Sequence, residues 1–64
     1  MMTTGDRIHY LRTQQGFTLQ ELGDRVGVGA STVRKWETGS IKPLRTDKMQ
    51  KLSQALDTTV DYLM

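Results

Sequence analysis

Sixty-four residues form one domain at most, and a domain of that size buries only about 60% of the surface its unfolded chain exposes. With no cysteine and a single histidine, His9, the chain has neither disulfides nor a structural zinc site to brace it, so its fold must rest on apolar packing and well-made helix ends. The net charge is a modest +2 at pH 7, no apolar run nears the ~20 residues of a membrane span, and the opening Met1-Met2-Thr3-Thr4-Gly5-Asp6 lacks the basic and apolar parts of a signal peptide.

A soluble, cytoplasmic protein is therefore expected. Its charge is unevenly spread. Between residues 25 and 51 the basic side chains are Arg25, Arg34, Lys35, Lys42, Arg45, Lys48 and Lys51, opposed only by Glu37 and Asp47. Residues 52–64 carry Asp57 and Asp61 and nothing basic. A basic middle beside an acidic end fits a face built for a polyanion, and fits an ordinary solvated helical surface equally well.

Helix signals run through the whole chain, with one proline, Pro43, and no alternating β-branched run. Thr3 and Asp6 have the spacing of a capping box that opens a first helix, with Ile8 and Leu11 on its inner face and Gly16 at its end. Thr18-Leu19-Gln20-Glu21 is a second and stronger box. Phe17 before the cap and Leu22 after it are spaced as a hydrophobic staple, and Leu19, Leu22 and Val26 continue the inner stripe. Gly27 supplies a residue that turns left-handed at little cost. After Val28-Gly29, a third helix over about residues 30–38 points Val33 and Trp36 inward, until Gly39 stops it. A loop over residues 40–45 holds Pro43. Thr46-Asp47 caps a fourth helix with the stripe Met49, Leu52 and Leu56. Thr59 caps a short fifth helix with Val60, Leu63 and Met64 on its apolar side. The expected architecture is all-α: five short helices in a single domain over residues 1–64.

The second and third helices are joined by so few residues that they must cross steeply, not pack side by side. A steep crossing leaves one face of the third helix projecting, as entry into a DNA major groove about 12 Å wide requires. The second helix then crosses the phosphate backbone, with its N-terminal amides toward a phosphate. Gly29, Ala30, Ser31, Arg34, Lys35 and Thr38 form the outward set of the third helix. Gly29 and Ala30 let the helix start lie close to base edges, Ser31 can donate or accept, and Arg34 and Lys35 can reach guanine acceptors. Trp36 is read as core filler and not as a stacking platform. His9 is read as a surface residue of the first helix, and Tyr10 and Tyr62 as half-exposed.

Thr18-Leu19-Gln20-Glu21-Leu22-Gly23, Val26-Gly27-Val28-Gly29-Ala30-Ser31-Thr32-Val33 and Trp36-Glu37-Thr38-Gly39 together resemble the Cro/CI-type helix-turn-helix domain of phage repressors, the XRE family, with its lambda-repressor-like five-helix fold. Arg7-Ile8 and Leu11-Arg12 match the family's first helix. Pro43, Met49, Leu52, Leu56 and the ending Val60-Asp61-Tyr62-Leu63 match its last two. The likeness runs over about residues 5–64.

It implies that Ala30, Ser31, Arg34 and Lys35 read bases and that Thr18, Thr38, Ser40 and Lys42 touch phosphates. It also implies an ion pair between Arg12 and Glu37. Three departures stand out. Leu19 replaces a glutamine that contacts phosphate in the family, so Gln20 takes over that contact or it is lost. Gly23 stands where alanine is usual at the approach of the two helices. The link after Pro43 is one residue longer, leaving Leu44 to cover the core beside Trp36 and Arg45 to meet a phosphate.

The reading that follows is sequence-specific binding of double-stranded DNA by a transcriptional regulator, most often a repressor in this family. A homodimer on a two-fold operator is the expected assembly, and the chain can be the N-terminal part of a longer regulator. The alternative is an antitoxin-type module that binds DNA and also grips a toxin partner through the residues around Val60–Met64. No cofactor is expected. Nor is an enzyme, since the chain shows no nucleophile–base pair, metal cluster or phosphate-cradling loop.

Overall fold

A computed structural model describes residues 2–43 and 46–64. It contains five helices in the expected order: α1 (Thr4–Gln14), α2 (Leu19–Val26), α3 (Ala30–Thr38), α4 (Thr46–Ala55) and α5 (Val60–Leu63). No strand occurs among the described residues. Leu44 and Arg45 lie outside them, so the roles expected for those two residues are not placed.

The starts of α1, α2 and α5 are set by side chains, as their spacing predicts. Thr3 Oγ1 accepts the Asp6 amide at 3.1 Å while the Thr3 amide donates to Asp6 Oδ2 at 3.0 Å. Thr18 and Glu21 make the same reciprocal pair at 3.0 and 2.9 Å. Thr59 Oγ1 accepts the Tyr62 amide at the start of α5. Such caps matter in a chain with little core, since each is worth about 0.5–2 kcal/mol.

The Asp6 carboxyl is held below its ordinary value of 3.8, chiefly because it accepts the Thr3 amide. A lowered carboxylate pKa stabilises the folded state at and above the ordinary value. That contribution disappears as pH falls through the folded value. Acidification from pH 5 to pH 2 is therefore expected to lower the urea midpoint more in the wild type than in Asp6→Asn. Parallel decreases in the two proteins would mean that the Asp6 charge does not stabilise the fold.

One apolar cluster closes the domain. Ile8 from α1, Leu22 and Val26 from α2, Val33 and Trp36 from α3, Met49 and Leu52 from α4, Leu56 and Leu63 are all buried. Leu11, Phe17, Leu19, Val28, Ala55 and Val60 pack around them. α3 lies between α1 and α2, while α4 packs on α2 and α5 and completes the far side.

One expectation fails. Met64 is not on an apolar face but 76% exposed. It lies beyond the last residue of α5, and this single turn brings only Val60 and Leu63 onto the core. Other ties were not foreseen. Arg7 Nη1 donates to the Tyr62 carbonyl at 2.8 Å, and its guanidinium lies 5.3 Å from the centre of the Tyr62 ring, fastening α5 to α1. Gln15 Nε2 donates to the Leu56 carbonyl. Ser53 is buried with its hydroxyl donating to the Gln50 carbonyl at 2.7 Å.

Gly5 and Gly23 lie inside helices, where glycine ordinarily costs about 0.5–1 kcal/mol relative to alanine. Each sits where another backbone passes too close for a side chain. A Cβ at Gly5 would collide with the Trp36 carbonyl and lie 2.7 Å from the Glu37 carbonyl oxygen. A Cβ at Gly23 would lie 2.6 Å from the Val28 carbonyl oxygen. The alanine usual at the second position does not fit this backbone.

Candidate nucleic-acid interface

The joint between α2 and α3 is built from three glycines and a single acceptor. Gly27 has φ of 89°, in the left-handed region, and ends α2. The amides of Gly27 and Val28 both donate to the Gly23 carbonyl, at 2.8 and 2.9 Å. The chain thus folds back over its own last turn, and the missing side chain of Gly23 leaves room for Val28 and Gly29 to pass. Gly29 is the N-cap of α3 and brings no capping side chain. The start of the third helix is accordingly framed by small residues.

From that start, burial alternates as a helix period demands. Val33 and Trp36 are buried, Ala30 and Thr32 half-buried, and Ser31, Arg34, Lys35 and Thr38 exposed. The exposed four are spaced i, i+3, i+4 and i+7, so they form one continuous stripe along α3. Arg34 and Lys35 supply its positive charge.

The stripe continues into the following loop. Gly39, with φ of 84°, terminates α3. The Thr38 and Ser40 hydroxyls lie 3.1 Å apart in hydrogen-bond contact, and the Ile41 amide donates back to the Lys35 carbonyl at 3.3 Å. Ser40 and Lys42 are exposed, whereas Pro43 is buried and anchors the loop to the domain. Thr38, Ser40 and Lys42 therefore extend from the end of the stripe.

On α2, Thr18 is exposed at the helix start with its hydroxyl engaged as the cap. Leu19 packs against the core, which explains an apolar residue where the family's glutamine would face outward. Gln20 is exposed, and its amide donates to Asp24 Oδ1 at 2.8 Å. It would have to leave Asp24 before meeting a phosphate. Arg45 falls outside the described residues.

Arg12 and Glu37 come together. Arg12 Nε donates to Glu37 Oε2 at 2.6 Å and Nη2 to Oε1 at 3.2 Å, with the two side chains only 12% and 8% exposed. Arg12 Nη1 also donates to the Phe17 carbonyl at 2.7 Å. One guanidinium thus joins α1 to the entry of α2 and to the last turn of α3. The lone carboxylate of α3 is thereby occupied and withdrawn from the basic stripe.

His9 is on the surface of α1, as expected, and also joins this group: Nδ1 lies 2.7 Å from Glu37 Oε1. The clue available in the sequence was its position three residues before Arg12, on the same face of α1.

A short glycine joint, a capped second helix and a third helix exposing a small-then-basic stripe define a helix-turn-helix domain. The helix-turn-helix family model matches residues 8–63, and the chain belongs to that family. A prophage-derived HTH-type transcriptional regulator of Bacillus subtilis, YonR, is 33% identical over 61 residues, which make up 94% of this chain and 55% of the regulator. The chain thus spans about half the length of such relatives. The P22 c2 repressor in complex with a synthetic operator superposes with a TM-score of 0.95 at 30% identity, over 100% of this chain and 96% of the repressor chain. The biofilm master regulator SinR in complex with DNA gives 0.87 at 30% identity, over 95% and 97%.

Proposed function

We propose that the chain binds double-stranded DNA sequence-specifically by laying α3 in the major groove, and that it serves transcriptional regulation as a repressor. The observation that carries this reading is the exposed stripe Ser31, Arg34, Lys35 and Thr38 on a helix whose opposite side is fixed in the core. In this reading Ala30, Ser31, Arg34 and Lys35 face base edges. Thr18, Gln20, Thr38, Ser40, Lys42 and Arg45 meet phosphates. The solved relatives bound to an operator or to DNA support the same use of the fold. A homodimer on a two-fold operator, a cytoplasmic location and a place within a longer regulator complete the proposal.

The two kinds of contact separate experimentally. On the duplex that the wild type selects from a random pool, Arg34→Ala and Lys35→Ala are each expected to cost about 1–3 kcal/mol of binding and to relax the preference at one base pair. Lys42→Ala is expected to weaken selected and scrambled duplexes alike and to reduce the salt slope by about one contact's worth, roughly 0.9. Arg34→Ala and Lys35→Ala proteins that bind as tightly and as selectively as the wild type would remove α3 as the reading element.

A further inference from the structure

Glu37 occupies an awkward place for a carboxylate. It lies in the last turn of α3, where the helix's own carbonyls make the local field negative, and its side chain is 8% exposed. It must be held there by donors. Arg12 is shared between partners: Nε serves Oε2 closely, Nη1 is turned to the Phe17 carbonyl, and only Nη2 reaches Oε1, at 3.2 Å. The close partner of Oε1 is His9 Nδ1 at 2.7 Å.

That nitrogen cannot serve both neighbours in the same way. Arg12 Nη2 stands 3.3 Å from it and can only donate, whereas Glu37 can only accept. The shorter contact places the proton on His9 Nδ1, donating to Glu37. Without this donor Oε1 would keep only the long Arg12 contact. The His9 side chain is 57% exposed, so water can replace it, but water holds Oε1 in no fixed direction; Arg12 can approach Oε1 more closely only by leaving the Phe17 carbonyl.

We infer that His9 is a positioning residue for the DNA-facing helix: through Glu37 it fixes the last turn of α3 and the loop carrying Ser40 and Lys42. This rests on the DNA-binding reading for its consequence, but not for its geometry. The loop is coupled to that turn by two backbone bonds, from the Gly39 amide to the Trp36 carbonyl and from the Ile41 amide to the Lys35 carbonyl, both 3.3 Å. These two amides report the positioning directly, with no DNA present.

The test compares His9→Ala with His9→Asn, whose side-chain NH2 stands where the imidazole Nδ1–H stood. Hydrogen exchange of Gly39 and Ile41 is expected to quicken about 3–10-fold in His9→Ala, as loss of one hydrogen bond implies. The amides of Gly27 and Val28 in the α2–α3 joint should change less, and His9→Asn should restore the wild-type pattern. On the selected duplex the Kd of His9→Ala is expected to rise about 3–10-fold under conditions where the protein is fully folded, again with rescue by asparagine.

Unchanged exchange at Gly39 and Ile41, a uniform rise at all amides, or no rescue by asparagine overturns the inference. So does altered exchange with an unaltered Kd. If the wild type selects no duplex at all, the DNA reading fails on its own, and the exchange measurement still decides whether His9 positions the end of α3.

Discussion

Arg12→Ala is expected to lower the unfolding free energy by about 3–5 kcal/mol, the usual cost of leaving one member of a buried ion pair behind. Native stability of roughly 0.05–0.15 kcal/mol per residue gives this chain of 64 residues about 3–10 kcal/mol in all. The substitution therefore brings the domain near or past its unfolding midpoint at 25 °C. A cost of that size follows from burial. The two side chains are 12% and 8% exposed, and an exposed pair would contribute only ~0–1 kcal/mol. The loss also frees the Phe17 carbonyl, which accepts from Arg12 at 2.7 Å.

Two variants separate the ion pair from simple packing. Arg12→Lys keeps the charge but cannot reach both Glu37 and the Phe17 carbonyl with a fork, so it is expected to fall between wild type and alanine. Joint replacement of Arg12 by Met and Glu37 by Leu removes both charges and keeps apolar volume, so it is expected to recover most of the lost stability. Urea titration of the four proteins checks the order. Arg12→Ala within 1 kcal/mol of the wild type would show that the pair is no more than a surface contact.

The second large effect has a sign opposite to the one helix propensity suggests. Gly5→Ala within α1 ought to stabilise by about 0.5–1 kcal/mol on propensity alone. The added Cβ, however, runs into the Trp36 and Glu37 carbonyls, backbone atoms of α3 that cannot rotate away. Overpacking of that kind costs about 1–3 kcal/mol, so the clash wins and the variant is less stable by about 1–2 kcal/mol. The strain falls on the contact that seats the last turn of α3. DNA affinity of the folded variant is expected to fall as well. Thermal unfolding gives the sign directly: a raised Tm for Gly5→Ala would mean that α1 has room to move away from α3.

These two sites also mark where the sequence was readable and where it was not. The Thr3, Thr18 and Thr59 caps, the left-handed Gly27 and the apolar stripes are local or periodic signals, and they placed all five helices. The outward stripe Ser31, Arg34, Lys35 and Thr38 was readable for the same reason, as the complement of Val33 and Trp36. Gly5 was not readable, because its role is set by carbonyls more than thirty positions away in the chain. The partnership of His9 with Glu37 was hidden in the same way, across 28 positions of the chain. Gly23 stands out in the sequence as a departure from alanine, but only the path of Val28 past α2 shows why a side chain is excluded there. Met64 had the right residue type and the right spacing, yet stands beyond the last turn and remains exposed. Periodicity finds faces; it does not find where two backbones pass too close for a side chain between them.

Sequence-specific reading of DNA by α3 is tested most directly by selection of duplexes from a random pool with the wild-type chain, in low and in physiological salt. Enrichment of one short motif is expected, with half-sites about one helical turn apart when two copies bind and enrichment lost with Arg34→Ala. A pool that remains random after repeated rounds, with binding governed by salt alone, would contradict it.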